Sequence, residues 1–574
     1  MTDPLPRHTK FPDPVQWSQN MAKIAERSQK LLLDFLARQK SDGIAMTPPL
    51  DIAGAFLDMT QRLMSDPGRL IEAQMSLWQD YLRLWQNTAQ RLVGATAEAV
   101  VSPGPGDRRF KDASWTDSAL FDFIKQSYLL TARSLQSMVH GVEGLGPVEA
   151  RKVDFYTRQF VDAMAPSNFV MTNPEVLRAT VESGGENLVK GLTHLLDDIE
   201  RGKGRLMIKM TDQDAFKIGE NIAVTKGKVV FRNDLIELIQ YEPATATVKR
   251  RPLLIIPPWI NKFYILDLRP NNSFIKWAVG RGHSVFVISW VNPDEHLTKK
   301  RFDDYMLEGP LAALDAIEQA TGVAEANVIG YCLGGTLLAA TLAYMKARKD
   351  DRIKSATYFV ALTDFTEAGD LKVFTDEQSL ASLDSRMEAK GYLEGADMAT
   401  TFNMLRANDL IWSFVVNNYL LGREPFPFDL LYWNSDATRM PATMHSFYLH
   451  KMYGENRLVE PGGITLNGVP IDLRKITTPS FLLSTKEDHI APWKATYAAT
   501  QLYRGPVKFV LAASGHIAGV INPPGQGKYG HWENDSLPKS PDDWLKAATY
   551  RQESWWPAWE KWVGKYGGGK VKAR

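Results

Sequence analysis

Hydrophobic and polar positions follow two different patterns along the chain. Up to about residue 205 the apolar residues recur at helical spacing, most clearly after the turn-forming segment SDPG at 65–68. From about residue 220, short apolar runs alternate with helix-length segments, as in strands buried in a parallel sheet. The pattern predicts an all-helical N-terminal domain at residues 1–205, followed by an α/β domain at residues 206–574.

The helix that follows residue 68 carries a seam of apolar residues in heptad register. Its members are separated alternately by four and three positions: Ile71, Met75, Trp78, Leu82, Trp85, Ala89 and Leu92. Such a seam is typical of a helix that packs inside its own domain, and also of a helix that binds a partner or a surface. Leu77, Tyr81 and Leu84 widen the apolar band, and both interpretations stay open.

Six apolar runs in the second region predict the strands of a sheet. They lie at 253–256, 284–289, 326–330, 355–362, 479–485 and 507–513. The interval 364–445 is too long for a simple crossover between two of these strands. Because long insertions at the edge of such sheets commonly cover a site, we expect this interval to form a lid.

Composition narrows the class of protein. With 44% hydrophobic residues, 23% charged residues and a net charge of +1, the chain has no electrostatic feature that predicts a nucleic-acid partner. A single cysteine excludes an internal disulfide and a cysteine-based zinc site. Residues 1–14 contain prolines and charges where a signal peptide is apolar, and the uncharged run 326–345 fits a strand, a turn and a helix better than a membrane span. We therefore expect a cytoplasmic protein with no transmembrane segment and no metal site.

The one cysteine, Cys332, stands in the segment GYCLGG at 330–335, between a strand run and a helical run. This segment has the form of a nucleophile elbow, in which glycines leave space for a strained turn at the start of a helix. The helix N-terminus favours a thiolate, and the backbone N–H of Leu333 can donate to an oxyanion. The alternative is a buried, inert cysteine.

An acid and a histidine follow the cysteine in the order that α/β-hydrolases require. Asp488 and His516 each come directly after a predicted strand. His489 is a competing base, but adjacent residues on one loop rarely face each other, so we favour His516. The second oxyanion donor is expected in the loop after the first strand of the six, from the backbone N–H of Trp259 or Ile260.

Five longer motifs resemble the signatures of class I polyhydroxyalkanoate synthases. They are PPWINKFYILDL, VIGYCLGG, PFDLLYWNSDATRMP, STKEDHIAPW and ASGHIAGVINPP, and the resemblance covers nearly the whole chain. It implies an α/β-hydrolase fold with a lid insertion, and an enzyme that polymerises short (R)-3-hydroxyacyl-CoA thioesters, with 3-hydroxybutyryl-CoA as the expected substrate. It also implies that Cys332, Asp488 and His516 form the catalytic set. No cofactor is expected, since CoA is the leaving group of the substrate.

The same resemblance implies partners and a location. They are a growing polyester chain, a second copy of the chain in a homodimer, phasin-type granule proteins, and the surface of a polyester granule in the cytoplasm. The N-terminal domain is then an assembly and targeting domain. The tryptophan-rich segment 554–562 (SWWPAWEKW) fits packing against the catalytic core or contact with the granule.

A thiol suits such a polymerase because exchange of one thioester for another changes the free energy little. The acyl-enzyme then stays reactive enough to pass its acyl group to an alcohol. His516 would take the proton of Cys332 and later protonate the departing CoA. Asp488 could orient His516 or act as a base on the substrate hydroxyl. The rival interpretations are a cysteine esterase or thioesterase of the same fold and a granule-coating scaffold without activity.

Overall fold

The computed structural model describes residue 26 and residues 50–573 except 66 and 141. The chain divides into two compact units. The helical unit comprises the chain up to Asp212 together with Phe402–Phe426, and the α/β unit comprises Gln213–Thr401 and Pro427–Arg574. The segment 402–426, which the sequence places in the lid of the second domain, therefore groups with the helical unit.

The helical unit is built from helices in chain order. They are α1 (Leu50–Ser65), α2 (Pro67–Leu92), α3 (Ser114–Asp117), α4 (Ala119–Val139), α5 (Pro147–Ala163), α6 (Pro174–Ser183) and α7 (Glu186–Arg201). Local signals set some of their ends. The side chain of Asn173 caps α6 by accepting hydrogen bonds from the N–H groups of Glu175 and Val176, and Pro174 occupies the first turn.

Helix α2 packs on α4 with one face and leaves the apolar seam on the other. Leu84 is fully buried, the Tyr81 hydroxyl lies 2.8 Å from Thr131 Oγ1, and Arg91 pairs with Asp122 at 2.5 Å. The seam is exposed in the single chain, its large members being Ile71, Met75, Trp78, Leu82, Trp85 and Leu92. Trp85 nevertheless contacts Phe123 of α4, with 5.2 Å between the ring centroids, so both interpretations of the seam stay open.

The segment 402–426 joins the helical unit through hydrogen bonds to α6 and α7. The Tyr419 hydroxyl donates to Asp198 at 2.5 Å, and the side-chain amide of Asn187 donates to the Leu420 carbonyl at 2.7 Å. Close backbone approach needs a glycine here, since a Cβ on Gly191 would lie 1.8 Å from the Tyr419 oxygen. The segment includes two π-helical stretches, Asn408–Trp412 and Val415–Leu420.

Within the described residues, the α/β unit contains a ten-stranded mixed sheet in the order β1-β2-β5-β4-β6-β7-β12-β13-β14-β15. Its strands are β1 (Gly227–Arg232), β2 (Ile236–Tyr241), β4 (Leu253–Ile256), β5 (Val285–Trp290), β6 (Ala326–Tyr331), β7 (Ile353–Phe359), β12 (Ser480–Thr485), β13 (Val507–Ala512), β14 (His531–Glu533) and β15 (Thr549–Arg551). Three short antiparallel pairs complete the set: β3 (Thr247–Lys249) with β16 (Lys570–Lys572), β8 (Tyr392–Leu393) with β9 (Met440–Pro441), and β10 (Thr465–Leu466) with β11 (Val469–Pro470).

The six strands predicted from apolar runs are β4, β5, β6, β7, β12 and β13, and they form the parallel centre of the sheet. Each agrees with its predicted range to within three residues. Alternate residues of β4 enter opposite cores, Leu254 and Ile256 on one face and Leu253 and Ile255 on the other. Both faces of the sheet are thus covered, as the continuous apolar runs predict.

Helices cover these faces and form the insertion. They are α8 (Phe274–Gly280), α9 (Phe302–Met306), α10 (Ala312–Thr321), α11 (Leu333–Ala347), α12 (Glu377–Lys390), α13 (Gly395–Leu405), α14 (Asp429–Ser435), α15 (Ala442–Tyr448), α16 (Trp493–Tyr497), α17 (Ala499–Leu502), α18 (Pro541–Ala547) and α19 (Trp556–Val563). The insertion after β7 continues beyond the expected end at residue 445 and reaches β12 through a π-helical stretch, Leu449–Gly454, and the β10–β11 pair. These short elements lack the long apolar run by which the central strands were predicted.

The tryptophan-rich segment near the C-terminus packs inside the α/β unit. Trp555, Trp556 and Trp559 are buried, and their rings surround Phe274 of α8 at centroid distances of 5.1–6.0 Å. Packing, the first of the two interpretations of this segment, is confirmed for these three residues. Nowhere in the described residues does a helix have the length and apolar character needed to cross a membrane.

Candidate active site

Cys332 lies at a sharp turn between β6 and α11, at the carboxyl end of the parallel strands. Its backbone has φ 50° and ψ −118°, a strained conformation for a residue with a side chain. The turn is held by the Cys332 N–H, which donates to the Phe359 carbonyl at 2.8 Å, and by the Gly335 N–H, which donates to the Cys332 carbonyl at 2.9 Å. The thiol is partly exposed, so the structure places it where a reactant can reach it.

The glycines around Cys332 are there because the backbones are too close for side chains. A Cβ on Gly330 would lie 2.5 Å from the Gly335 Cα, and one on Gly334 would lie 2.1 Å from the Ile256 carbonyl oxygen. A Cβ on Gly335 would meet Ala361 at 2.4 Å. These contacts press the first turn of α11 against the ends of β4 and β7, which is the geometry of a nucleophile elbow.

The acid and the histidine stand on the loops after β12 and β13. His516 Nδ1 lies 2.7 Å from Asp488 Oδ2, and both side chains are buried. Cys332 is the second neighbour of the His516 side chain and, like Asp488, raises the pKa of its imidazole. The structure therefore brings together the three residues predicted as the catalytic set.

Both carboxylate oxygens of Asp488 accept hydrogen bonds from donors of the protein. Its Oδ1 accepts from the backbone N–H groups of Ile490 and Ala491, both at 2.9 Å. Its Oδ2 accepts from His516 and from the Thr485 hydroxyl at 3.2 Å. The carboxylate is fully inaccessible to solvent. In this arrangement it contacts the histidine but has no free surface towards a substrate.

His516 is set up to hold a proton. Burial by itself lowers the pKa of its imidazole, but the nearby Asp488 and Cys332 charges and the hydrogen bonds to both raise that pKa from 6.5 to about 10. A His516 that keeps its proton next to a thiol has the arrangement of a general acid.

The remaining predicted positions surround this pair. Leu333 is the first residue of α11, and Trp259 and Ile260 lie in the loop after β4. Among the described residues, none provides a hydrogen-bond acceptor for the backbone N–H of these three residues. His489, the neighbour of Asp488 in the chain, is partly exposed, whereas His516 is buried. The roles of all these residues stay predictions.

Sequence reasoning missed two groups near the thiol. The Tyr331 hydroxyl, from the residue before Cys332, donates to the His516 carbonyl oxygen at 3.1 Å, and its ring lies 5.9 Å from the imidazole. Tyr448 and Tyr453 come from the insertion; burial, and to a smaller degree Cys332, raises the pKa of each hydroxyl. Tyr331 could have been noticed as the variable position inside the elbow, whereas the insertion tyrosines carry no such signal.

No metal-binding arrangement is found among residues 50–573 where the structure describes them: three or more His, Cys, Asp or Glu side chains do not converge there on a shared point.

Comparison with known proteins decides the family. The model for the N-terminus of poly-beta-hydroxybutyrate polymerase (PhaC) matches residues 106–278, and the alpha/beta hydrolase fold matches residues 256–523. A poly(3-hydroxyalkanoate) polymerase subunit PhaC from Rhizobium meliloti is 49% identical over 566 residues, which cover 98% of this chain and 92% of the relative. The chain belongs to the poly(3-hydroxyalkanoate) polymerase family. A polymerase of this name from Methylorubrum extorquens is 51% identical over 92% of this chain and 89% of its own length. A polymerase subunit PhaC from Cupriavidus necator is 42% identical over 90% of this chain and 87% of its own length.

Poly(3-hydroxyalkanoate) polymerases are acyltransferase enzymes, so the resemblance seen in the five sequence motifs and the predicted α/β-hydrolase fold are both confirmed. The polymerase N-terminal model begins at residue 106 and extends to residue 278, past the division at Asp212. The region that characterises polymerases is therefore not the same as the helical unit. Helix α2 and its exposed seam lie before the matched range.

Proposed function

We propose that this chain polymerises (R)-3-hydroxyacyl-CoA thioesters of short chain length, with 3-hydroxybutyryl-CoA as the substrate to test, through an acyl group carried on Cys332. The observation that supports this is a His516 that is hydrogen-bonded to Asp488 and adjacent to Cys332 at a strained elbow, in a member of the polymerase family. No cofactor enters the proposal, because CoA leaves from the substrate itself.

Acylation begins from the imidazolium–thiolate pair. The Cys332 sulfur attacks the thioester carbonyl carbon, the bond between that carbon and the CoA sulfur breaks, and His516 gives its proton to the departing CoA. The backbone N–H of Leu333, together with that of Trp259 or Ile260, would stabilise the oxyanion that forms on the carbonyl. One thioester replaces another, so the acyl group stays reactive.

Chain extension uses the same histidine in the opposite direction. Acylation removes the thiolate charge, which is one of the two charges that raise the His516 pKa, so the neutral imidazole becomes a suitable base. It takes the proton of an incoming 3-hydroxyl group while the hydroxyl oxygen attacks the acyl carbon. The bond to the Cys332 sulfur breaks, an oxoester forms, and the imidazolium–thiolate pair is restored.

We assign to Asp488 the orientation of His516, not activation of the substrate hydroxyl. Its side chain is inaccessible and all its strong acceptor positions face donors of the protein. A hydroxyl could reach it only if some of these bonds broke, whereas His516 already lies between it and the thiol.

Polymer growth requires that a hydroxyl reacts in preference to water. The insertion places Tyr448 and Tyr453 near the thiol, and both are buried, so we propose that the insertion covers the site during extension.

Location at the surface of a polyester granule, contact with phasin-type granule proteins and homodimer formation also remain proposals. The exposed seam of α2 supports a role of the helical unit in assembly.

The product formed by purified protein from 3-hydroxybutyryl-CoA tests the proposal against the thioesterase alternative. A polymerase releases CoA and accumulates polyester, with free hydroxy acid far below the amount of CoA. Equal amounts of CoA and free hydroxy acid would show a thioesterase. No CoA release at all, from protein that is folded by circular dichroism, would favour the scaffold alternative.

A further inference from the structure

Two of the five sequence motifs are joined by hydrogen bonds, and the proposed reaction gives a role to only one of them. The first motif, at 257–268, contains the loop after β4 with the predicted oxyanion donors Trp259 and Ile260. The second motif, at 427–441, lies in the insertion and contains α14 and β9. Both motifs belong to the α/β unit. A segment that binds the donor loop, without a reacting group of its own, can act by fixing the shape of that loop.

Side chains of both motifs bind the other motif at points beyond the two predicted donors. The Trp433 indole N–H donates to the Lys262 carbonyl oxygen at 2.7 Å. The Tyr264 hydroxyl donates to the Asp436 carboxylate at 2.8 Å. These bonds attach the insertion to the first motif, but they do not involve the peptide that joins Trp259 to Ile260.

Thr438 binds the carbonyl groups of both predicted donors. Its hydroxyl donates to the Trp259 carbonyl oxygen, and its backbone N–H donates to the Ile260 carbonyl oxygen at 2.8 Å. Thr438 and Trp259 are both buried. Removal of the hydroxyl would therefore leave the Trp259 carbonyl without a partner in a place that water does not readily reach.

Peptide geometry makes the hydroxyl bond a constraint on one N–H group. The Trp259 carbonyl and the Ile260 N–H belong to the same peptide, which is planar and trans, so they point in opposite directions. When Thr438 fixes the direction of the carbonyl, it also fixes the direction of the Ile260 N–H, which points away from Thr438. Among the described residues, none accepts a hydrogen bond from this N–H. Of the two predicted donors, Ile260 is thus the one whose N–H is held in place and still available.

We propose that Thr438 is a positioning residue for acyl transfer, whose hydroxyl holds the Ile260 N–H in the direction that meets the oxyanion. The inference rests on the proposed reaction at Cys332 and names the second oxyanion donor within it, beside the N–H of Leu333. It also gives the motif at 427–441 a function: this part of the insertion sets the geometry of a loop that follows a strand of the sheet.

Three variants of the full-length chain test the proposal. Thr438→Val keeps the shape of the side chain and removes the hydroxyl, whereas Thr438→Ser keeps a hydroxyl. Tyr264→Phe is the matched control, because it removes another hydroxyl bond between the same two motifs, away from the donor peptide. Each protein is mixed with excess 3-hydroxybutyryl-CoA and quenched in acid, and the acylated fraction of the Cys332 peptide is followed over time. The final fraction counts the active molecules, and the rate constant describes those molecules alone.

We expect Thr438→Val to lower the maximal rate constant of acylation about 10²-fold, because a misdirected donor stabilises the transition state poorly. The substrate concentration at half the maximal rate should stay within about threefold, since the N–H binds charge that develops only in the transition state. Thr438→Ser and Tyr264→Phe should each keep the maximal rate constant within about fivefold of wild type, because both retain a hydroxyl on the Trp259 carbonyl.

The outcomes separate this inference from the proposed reaction. If Cys332 of wild type never carries an acyl group, the proposed reaction fails and the role of Thr438 fails with it. If wild type is acylated and Thr438→Val keeps a rate constant near that of wild type, or loses no more than Tyr264→Phe, the positioning role alone is overturned. A loss confined to the final acylated fraction, including its complete loss, would make Thr438 a structural residue and also overturns the proposal.

Discussion

The tryptophan-rich segment of the α/β unit and the seam of α2 in the helical unit of this polymerase place their tryptophans in opposite environments. Trp555, Trp556 and Trp559 of the α/β unit are buried against α8, whereas Trp78 and Trp85 of the helical unit project from α2 into solvent. In the α/β unit, the apolar residues of the central strands are buried in two cores, one on each face of the sheet. In the helical unit, the large apolar residues of the α2 seam are exposed. An apolar pattern thus identifies the element, but burial of that pattern inside the chain has to be observed.

We expect the chemistry to belong to the α/β unit alone, and removal of the Cys332 thiol tests this expectation most severely. Cys332→Ala should reduce CoA release on the order of 10⁵-fold or more, because no other residue can carry the acyl group. The thermal unfolding midpoint should remain near that of wild type. Cys332→Ser should retain only a small residual rate, since a hydroxyl is little ionised. Substantial CoA release by the alanine variant would place the chemistry elsewhere.

The two neighbouring histidine candidates sharpen the comparison within the site. We expect His516→Ala to slow CoA release by about 10⁴-fold, because it loses both the base and the acid of the cycle. His489→Ala should stay within about tenfold of wild type. Steady-state rates on the two purified variants give the ranking, and the opposite ranking would show that the wrong base has been assigned.

The Asp488→Asn substitution should slow acylation and extension together, by about 10³-fold, because both steps use an oriented His516. It also removes a charge that raises the His516 pKa. Since acylation requires protonated His516 and rate is lost as pH rises through its pKa, the alkaline limb of the acylation profile should move to lower pH in the variant. Single-turnover rates between pH 6 and about pH 10 measure both effects. Normal acylation with arrested extension would instead make Asp488 the base for the hydroxyl.

The Tyr331 hydroxyl contacts the backbone of His516 and not its imidazole, so its removal should have a smaller effect. Tyr331→Phe removes the hydroxyl that binds the His516 carbonyl and should slow acylation about tenfold, with a changed pH profile. Tyr497→Phe is the matched control, because the Tyr497 hydroxyl also donates to a backbone carbonyl, that of Pro538, at 2.6 Å. Equal rates and pH profiles for the two variants would reduce Tyr331 to a structural role.

Substitutions on the two faces of α2 should affect catalysis least. They should differ clearly from each other in their effect on the free energy of unfolding. Leu84→Ala should lower the free energy of unfolding of the helical unit by about 3 kcal/mol, because it leaves a cavity. Leu82→Ala should change it by less than about 0.5 kcal/mol at protein concentrations too low for association. Denaturant unfolding of both variants compares them. A similar large loss for Leu82→Ala would mean that the seam is buried within the single chain.

Much of the α/β unit could be predicted from the sequence because its central strands are continuous apolar runs bounded by turns. The order of Cys332, Asp488 and His516 along those strands also predicted which residues meet. The outer strands on the two sides of the sheet, β1 and β2 on one and β14 and β15 on the other, were not predicted. They are short or mix polar and apolar residues. The association of the segment 402–426 with α6 and α7 depends on long-range bonds such as Tyr419 to Asp198, for which a local pattern carries no signal.

The central claim is that Cys332 carries the acyl group in a cycle served by His516, and trapping that group tests it most directly. Wild type mixed with one equivalent of 3-hydroxybutyryl-CoA and quenched in acid should yield a single modified peptide containing Cys332, with a mass increase of one hydroxybutyryl group and loss of the group on treatment with neutral hydroxylamine. The modification should form at wild-type amplitude but far more slowly in His516→Ala. Acylation of any other residue, or CoA release with Cys332 never modified on the time scale of turnover, would contradict the account.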